Sequence, residues 1–349
     1  MRLPLLALSL ALLSAGPALA APSAWCSAPS APDPVIQSLL TDAGKRLPGS
    51  PRAIPRIHTE GTLPHQGIWD ASMEAKKDHA LMQELAMAWR VTHDKVTLAQ
   101  LAAVLDAWAT VYQPSFNPID ETGFDTLIDA YAITRAELPS ATRDKVAAML
   151  RGWSEGYLRE MRRSAGVGKG TWVNNWQSHR IKLMTLAAVA LDDAELFDAA
   201  RFQFLRQLNQ NLRPDGHSLD FEERDALHYT VYDLEPLLRA AMAARLRGED
   251  WLHLKADNGV TLAAGLDWLL PYARGEQPHE EYVHTKVKFD LQRRDAGVHG
   301  FSGPWEPKSA SRLYWQAATL DARYLPVAQA LGQEPLWIAA CWQLKPSAE

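Results

Sequence analysis

Cysteine and long apolar runs are both scarce in this 349-residue sequence. There are 2 cysteines, Cys26 and Cys341, one near each end. That excludes a disulfide-dense scaffold and a thiolate metal cluster. It leaves two readings open, a bridge joining the ends or two unpaired thiols. The one marked apolar run, from about Leu3 to about Leu13, is too short to span a bilayer well. No strong excess of either charge is present: Lys+Arg number 36 against 41 Asp+Glu, a net charge of -5. Nucleic acid and an anionic membrane are therefore not expected as partners. Strand-like alternation is also rare. Its best case is Val283–Leu291, "VHTKVKFDL". The histidines are scattered with no HExxH or comparable spacing, so no metal and no cofactor are expected.

What is present starts with MRLPLLALSLALLSAGPALA, which has an early arginine, the apolar run and a small-residue Ala18-Leu19-Ala20 end. This reads as a signal peptide over residues 1–20, cleaved after Ala20, and predicts a periplasmic or secreted protein. The residues before Cys26 do not form a lipoprotein box, so no lipid anchor is expected. Residues 21–56 are rich in Pro, Ala and Ser and read as an irregular arm, with one short helix near Val35–Ala43.

From Ser72 onward the spacing is helical nearly throughout, as in Met82, Leu85, Ala86 and Trp89, or Val146, Met149, Leu150, Trp153 and Tyr157. Runs of helical length are separated by breaks near Gln113–Gly123, Leu138-Pro139, Ala165–Thr171, Leu212–Ser218, Arg247–Asp250 and Arg274–Glu281. No repeat is tight enough for a standard solenoid, and no break looks like a linker. Repeated helical hairpins predict an all-α fold, an (α/α) toroid, as a single domain over residues 57–349. A monomer is expected.

Two polar clusters interrupt this pattern. The first is "GTWVNNWQSHR", Gly170–Arg180. Asn174 or Asn175 can cap the following helix, but capping explains only one asparagine. His179 lies about one turn beyond Asn175 on the same face. The second is "RPDGHSLDFEERDALHYTVYDLEPLL", Arg213–Leu238. A helix beginning near Arg224 would place Arg224, His228 and Tyr232 on one face, with Tyr229 beside them.

These residue types suit β-elimination from a uronate polymer. The hydrogen at sugar C5 is weakly acidic, because the adjacent carboxylate resists a second negative charge. Asn and Arg can neutralise that carboxylate. His and Tyr can take the C5 proton and protonate the leaving oxygen at C4. In mannuronate and glucuronate both lie on the same side, so one tyrosine could serve as base and acid. Nothing in this chemistry requires a metal. The expected partner is an anionic polysaccharide.

"NNWQSHR" followed by "RDALHYTVYDLEPL" resembles the alginate lyase superfamily of polysaccharide lyases, most closely alginate and glucuronan lyases with the NNW form. The resemblance is strongest over Thr171–Leu238 and extends from about His58 to about Ala330. It implies a helical toroid with an Asn/His/Tyr/Arg catalytic set. Better-known members carry Asn-Asn-His, then an arginine, then Tyr-x-x-Tyr. Asn174-Asn175 match the asparagines, and Tyr229 and Tyr232 the tyrosines. Trp176 stands where those have histidine. The histidine is then either His179 or His228, since related lyases for other uronate glycans place it about fifty residues after an Asn-Trp. Arg224 is offset by one from the expected arginine, and Arg180 is its rival. The catalytic candidates are thus Asn175, His179, His228, Tyr232 and Arg224.

The substrate-binding candidates are Asn174, Trp172, Trp176, Gln177, Arg180 and Tyr229, with tryptophan faces suited to sugar rings. His65 belongs to a polar knot, His58 to Gln66, that could fold over a cleft. Arg294 belongs to a basic group with Lys286, Lys288 and Arg293. Trp305 ends a glycine-rich loop from His299. Three rivals remain. A glycoside hydrolase would need paired acids across a cleft, but Asp220, Glu222, Glu223 and Asp225 crowd one segment. A glycan-binding protein would not need the Asn/His/Tyr/Arg set. A metal enzyme lacks its ligand spacing.

Overall fold

Apolar periodicity becomes helix along almost the whole chain. The computed structural model of the protein describes residues 25–26, 33–46 and 50–342. The stretch read as a signal peptide lies outside the described residues. The helices are α1 (Asp33–Arg46), α2 (Trp69–Ala75), α3 (Lys77–Thr92), α4 (Lys95–Val111), α5 (Asp125–Thr134), α6 (Ser140–Arg163), α7 (Asn175–Leu191) and α8 (Ala194–Asn211). After them come α9 (Leu219–Arg224), α10 (Leu227–Arg245), α11 (Leu262–Ala273), α12 (Lys288–Asp295), α13 (Ser311–Leu320), α14 (Leu325–Leu331) and α15 (Leu336–Cys341).

Packing sorts them into an inner and an outer row. Within the inner row, α3 packs on α5, α5 on α7, α7 on α10 and α10 on α13. Each inner helix is followed by an outer one, α4, α6, α8, α11 or α14, giving the (α/α) toroid. The sequence explains the sorting. From Ile181 to Ala190, α7 is buried on every side and almost wholly apolar, as a helix enclosed by neighbours must be. The outer α6 instead buries one stripe, Val146, Leu150, Trp153, Tyr157 and Met161. Side chains of Asp94, Asn174, Asp193, Ser218 and Thr261 cap α4, α7, α8, α9 and α11 by accepting backbone N–H bonds. Gly216, at φ +101, closes the Pro214-Asp215-Gly216 turn, where a Cβ would come within 2.2 Å of the Ala264 carbonyl oxygen.

Two expectations change. "VHTKVKFDL" forms no strand: Lys288 onward is α12. Among the described residues the only β pairing is two isolated bridges, Leu212 with Ser218 and Glu280 with Pro304. The early helix is present, but longer, and it packs on α3 and α15. There the chain ends meet. A disulfide joins Cys26 to Cys341, and Trp25 donates from Nε1 to Asp129 at 3.0 Å.

Candidate active site

The inner helices α7 and α10 begin at the same end of the ring, and their first turns carry the polar clusters. Asn174 caps α7, its side-chain oxygen accepting from Trp176 N at 3.1 Å. Asn175, the first residue of α7, does something else. Its backbone N–H donates to Asp220 Oδ2 at 2.8 Å and its Nδ2 to Asp220 Oδ1 at 2.5 Å. One buried carboxylate thus satisfies a helix-start N–H and fixes the amide's rotamer. Burial lifts the Asp220 carboxyl to about 6, against the pull of the Asn175 bonds and of Arg224.

Arg224 is not on the helix that carries His228. Asp225 takes the left-handed conformation at φ 50, which ends α9, and α10 starts only at Leu227. The predicted common face of Arg224, His228 and Tyr232 therefore does not exist. Arg224 instead pairs with buried Asp290 of α12, stacks on the Tyr229 ring at 3.9 Å and lies 4.0 Å from Asp220. It braces the carboxylate that holds Asn175.

His228 and Tyr232 are one turn apart on α10, with nearly parallel rings, 6° between planes and 6.4 Å between centroids. The Glu281 carboxylate fixes the start of the helix, accepting from His228 N at 3.1 Å, and burial raises that carboxyl to about 7. His228 is exposed, yet surrounded by enough protein that desolvation lowers its pKa, with Arg293 and Arg224 adding to the effect. It is therefore open to solvent and neutral at pH 7. Burial also raises the Tyr232 phenol, with Tyr229, Glu235 and Asp120 adding and Arg293 opposing. Tyr232 is therefore a protonated acid at rest.

His179 lies on the other side of Tyr232, ring centroids 4.4 Å apart. It is buried, its Nδ1 is 2.6 Å from Thr122 Oγ1, and its Nε2 is buried without a hydrogen-bond partner. Burial and Lys182 hold it well below its ordinary pKa, so it is neutral. Lys182 donates to Thr122 Oγ1 at 2.8 Å and to Asp125 Oδ2 at 2.8 Å. Tyr232 is thus flanked by a buried histidine and an accessible one.

Other candidates are placed differently from the sequence reading. Arg180 is buried, donating to the Thr171 carbonyl at 2.5 Å, with its guanidinium 3.9 Å over Trp172 and 5.9 Å from Trp176. Gln177 is buried against Met161 Sδ at 3.0 Å. Both side chains are buried and held by these contacts. Trp305 is also buried, its Nε1 without a partner, and offers no open face. His65 is an exposed rim residue bonded to Asp70 at 3.0 Å.

Arg294 is exposed and pairs with Asp295. Its neighbour Arg293 is the cation on the site: Nη1 donates to the Tyr229 hydroxyl at 3.1 Å, and Phe289 and Phe301 flank the guanidinium. Asp290 and Thr122 are not among the candidates read from the sequence, Arg293 is named only within the basic group of Arg294, and Asp220 only among the acids of a hydrolase. Only the Asp220–Arg224 spacing, four residues within one helix, hinted at a pair. Three of the four acids named for a hydrolase are committed elsewhere. Asp220 holds Asn175, Glu222 binds Arg213 and His217, and Asp225 accepts from His284 N.

The family described as alginate lyase matches residues 21–279. No curated protein matches the chain. Several solved structures share its fold. An alginate lyase from Bacteroides ovatus superposes with TM-score 0.62 at 16% identity, covering 89% of this chain and 93% of that one. A histidine-to-alanine variant of alginate lyase A1-III, complexed with a tetrasaccharide, gives TM-score 0.61 at 17% identity, over 94% of this chain and 98% of that one. Alginate lyase A1-III from Sphingomonas species A1 gives 0.52 at 18%, over 81% and 91%. With the family match spanning well over half the sequence, the chain belongs to the alginate lyase family and is a polysaccharide lyase.

Proposed function

We propose that this lyase cleaves a β-1,4-linked uronate polymer, polymannuronate stretches of alginate or else glucuronan, by β-elimination that leaves an unsaturated uronate end. The observation that carries the reading is the parallel stack of His228 and Tyr232 on one face of α10. A base and an acid presented from one side suit a substrate whose C5 hydrogen and C4 oxygen lie on one side. That describes mannuronate and glucuronate.

In this reading the Asn175 amide and the Arg293 guanidinium neutralise the C5 carboxylate, which acidifies the C5 hydrogen. Neutral His228 takes that proton. Tyr232 gives its proton to O4 as the C4–O bond breaks and the C4–C5 double bond forms. The imidazolium then loses its proton to water, and Tyr232 regains one. His228 is chosen over His179 because it is exposed, whereas Nε2 of His179 is buried. His179 supports the Tyr232 ring from below. Trp172 and Trp176, both partly exposed beside Asn175, are the faces for sugar stacking. The early apolar run and the Cys26–Cys341 bridge support export to the periplasm or the medium.

Side-by-side variants test the roles. Tyr232→Phe should abolish turnover with polymer binding retained. His228→Ala should lose activity by about the 10²–10⁴-fold of a missing general base, and His179→Ala by less. Normal turnover in Tyr232→Phe, or an intact His228→Ala beside a dead His179→Ala, would overturn the assignment.

A further inference from the structure

Below Tyr232 the hollow of the ring continues as a chamber of ≈ 530 Å³. Its wall descends α10 from Tyr232 to Arg239, two helical turns or about 10 Å. Its floor is Pro335 and Trp337, at and beside the start of α15. Beneath Trp337 the free space falls to ≈ 10 Å³ among Trp25, Met87, Ile133 and Trp342. Trp25, Met87 and Trp337 are buried there, and Trp25 and Arg239 share the Asp129 carboxylate, so the chamber is blind at this end. Its plug is built from both chain ends and stapled by the Cys26–Cys341 disulfide.

The lining is charged and incompletely satisfied. Lys182 pairs with Asp125 at 2.8 Å, Arg312 with Glu235 at 2.6 Å and Arg239 with Asp129 at 2.7 Å. Lys76 also lines the chamber, and its ammonium donates to a neutral hydroxyl, Thr59 Oγ1, at 2.7 Å. Among the described residues no carboxylate lies within ion-pair distance of it, so a cation is left over. Three lining residues keep a buried polar atom without a hydrogen-bond partner: His79 Nε2, His179 Nε2 and Arg239 Nη1. Trp337, itself buried, closes the floor, with the Arg239 guanidinium 4.6 Å from its ring centroid. The surplus positive charge of this lining suits a carboxylated sugar ring. The volume falls in the roughly 300–1,000 Å³ range of small-ligand sites. It has room for a chain end and not for a polymer passing through.

We propose that this chamber is a subsite for the terminal one or two acidic sugar units of the polymer, so that the enzyme works inward from a chain end. The inference rests on the lyase reading, with the bond to be cut held at Tyr232 above the chamber.

Two measurements test it. In the first, products from polymannuronate and glucuronan are sized early in turnover. Unsaturated mono- and disaccharide should dominate from the start while the polymer's length distribution barely falls. A ladder of intermediate lengths with collapse of polymer length would overturn the chain-end subsite and leave the lyase reading standing. The second needs no turnover: calorimetric binding of free mannuronate and glucuronate, which have no bond to cleave. One of them should bind the unaltered protein, and bind Lys76→Met about tenfold more weakly, the loss expected for one charge-assisted contact. Lys76→Arg should restore most of the affinity. Binding of neither monouronate, or equal binding to Lys76→Met, would overturn the proposal even if the polymers are cleaved.

Discussion

Replacing Asp220 by Asn separates the holding of Asn175 from the stability of the fold. The wild-type carboxylate accepts two bonds from Asn175, at 2.8 and 2.5 Å. An amide can accept only one of them and turns an N–H₂ toward a second donor. The lost bond to a charged group is worth about 1.5–3 kcal/mol. If that loss falls on the transition state, by freeing the Asn175 amide, kcat drops by about 10–150-fold. The folding balance runs the other way. The Asp220 carboxyl is raised from 3.8 to about 6, chiefly by burial. A folded pKa above the unfolded one means a contribution present below about 3.8 and lost as pH rises through about 6. By pH 7 the ionised wild type has given up on the order of 3 kcal/mol, which Asp220→Asn does not. Chemical denaturation from pH 4 to 7 should therefore show the variant gaining stability relative to wild type, while initial rates at pH 7 fall. Unchanged kcat in a folded Asp220→Asn would refute the positioning argument. Rate loss that tracks the unfolded fraction would refute it equally.

Other expectations follow from the same geometry. Arg293→Gln removes a cation that helps depress His228, though burial is the larger cause. The acid limb of kcat/KM should move to higher pH, and an unmoved limb would mean that another group is the base. Glu121 is buried and accepts from Tyr112 at 2.8 Å and from Trp153 Nε1 at 2.7 Å, with Tyr157 as a third donor. Glu121→Ala should cost about 3–5 kcal/mol in denaturant unfolding, because several buried donors lose their acceptor. A cost below about 1 kcal/mol would contradict that account. The Cys26→Ser, Cys341→Ser double variant opens a loop spanning 315 residues and should lose about 2–4 kcal/mol. Equal unfolding midpoints with and without the bridge would show that the plug holds without it.

Local pattern made the helices and the NNW start legible, because apolar spacing and capping residues act within a turn or two. The one-turn relation of His228 to Tyr232 was readable for the same reason. What escaped was set by contacts distant in sequence. Asp225 breaks the helix just after Arg224, and only the fold reveals that Arg224 then reaches Asp290. His179 and His228 look alike in the sequence, yet one is enclosed by α5, α7 and α10 and the other is not. Arg293 and Arg294 are neighbours, and only the seating of α12 decides which meets Tyr229. "VHTKVKFDL" alternates like a strand, but without a partner strand its groups are satisfied as a turn and a helix instead. Trp305 carried no local sign that it would be buried.

The central claim is elimination from a uronate polymer, and ultraviolet absorbance tests it most directly. The purified protein would be mixed separately with polymannuronate, polyguluronate and glucuronan, with and without a chelator. The account predicts rising absorbance from the unsaturated ends on polymannuronate or glucuronan, unaffected by the chelator, and little on polyguluronate. A rise confined to polyguluronate would contradict the same-side geometry of His228 and Tyr232. New reducing ends without absorbance would contradict elimination itself.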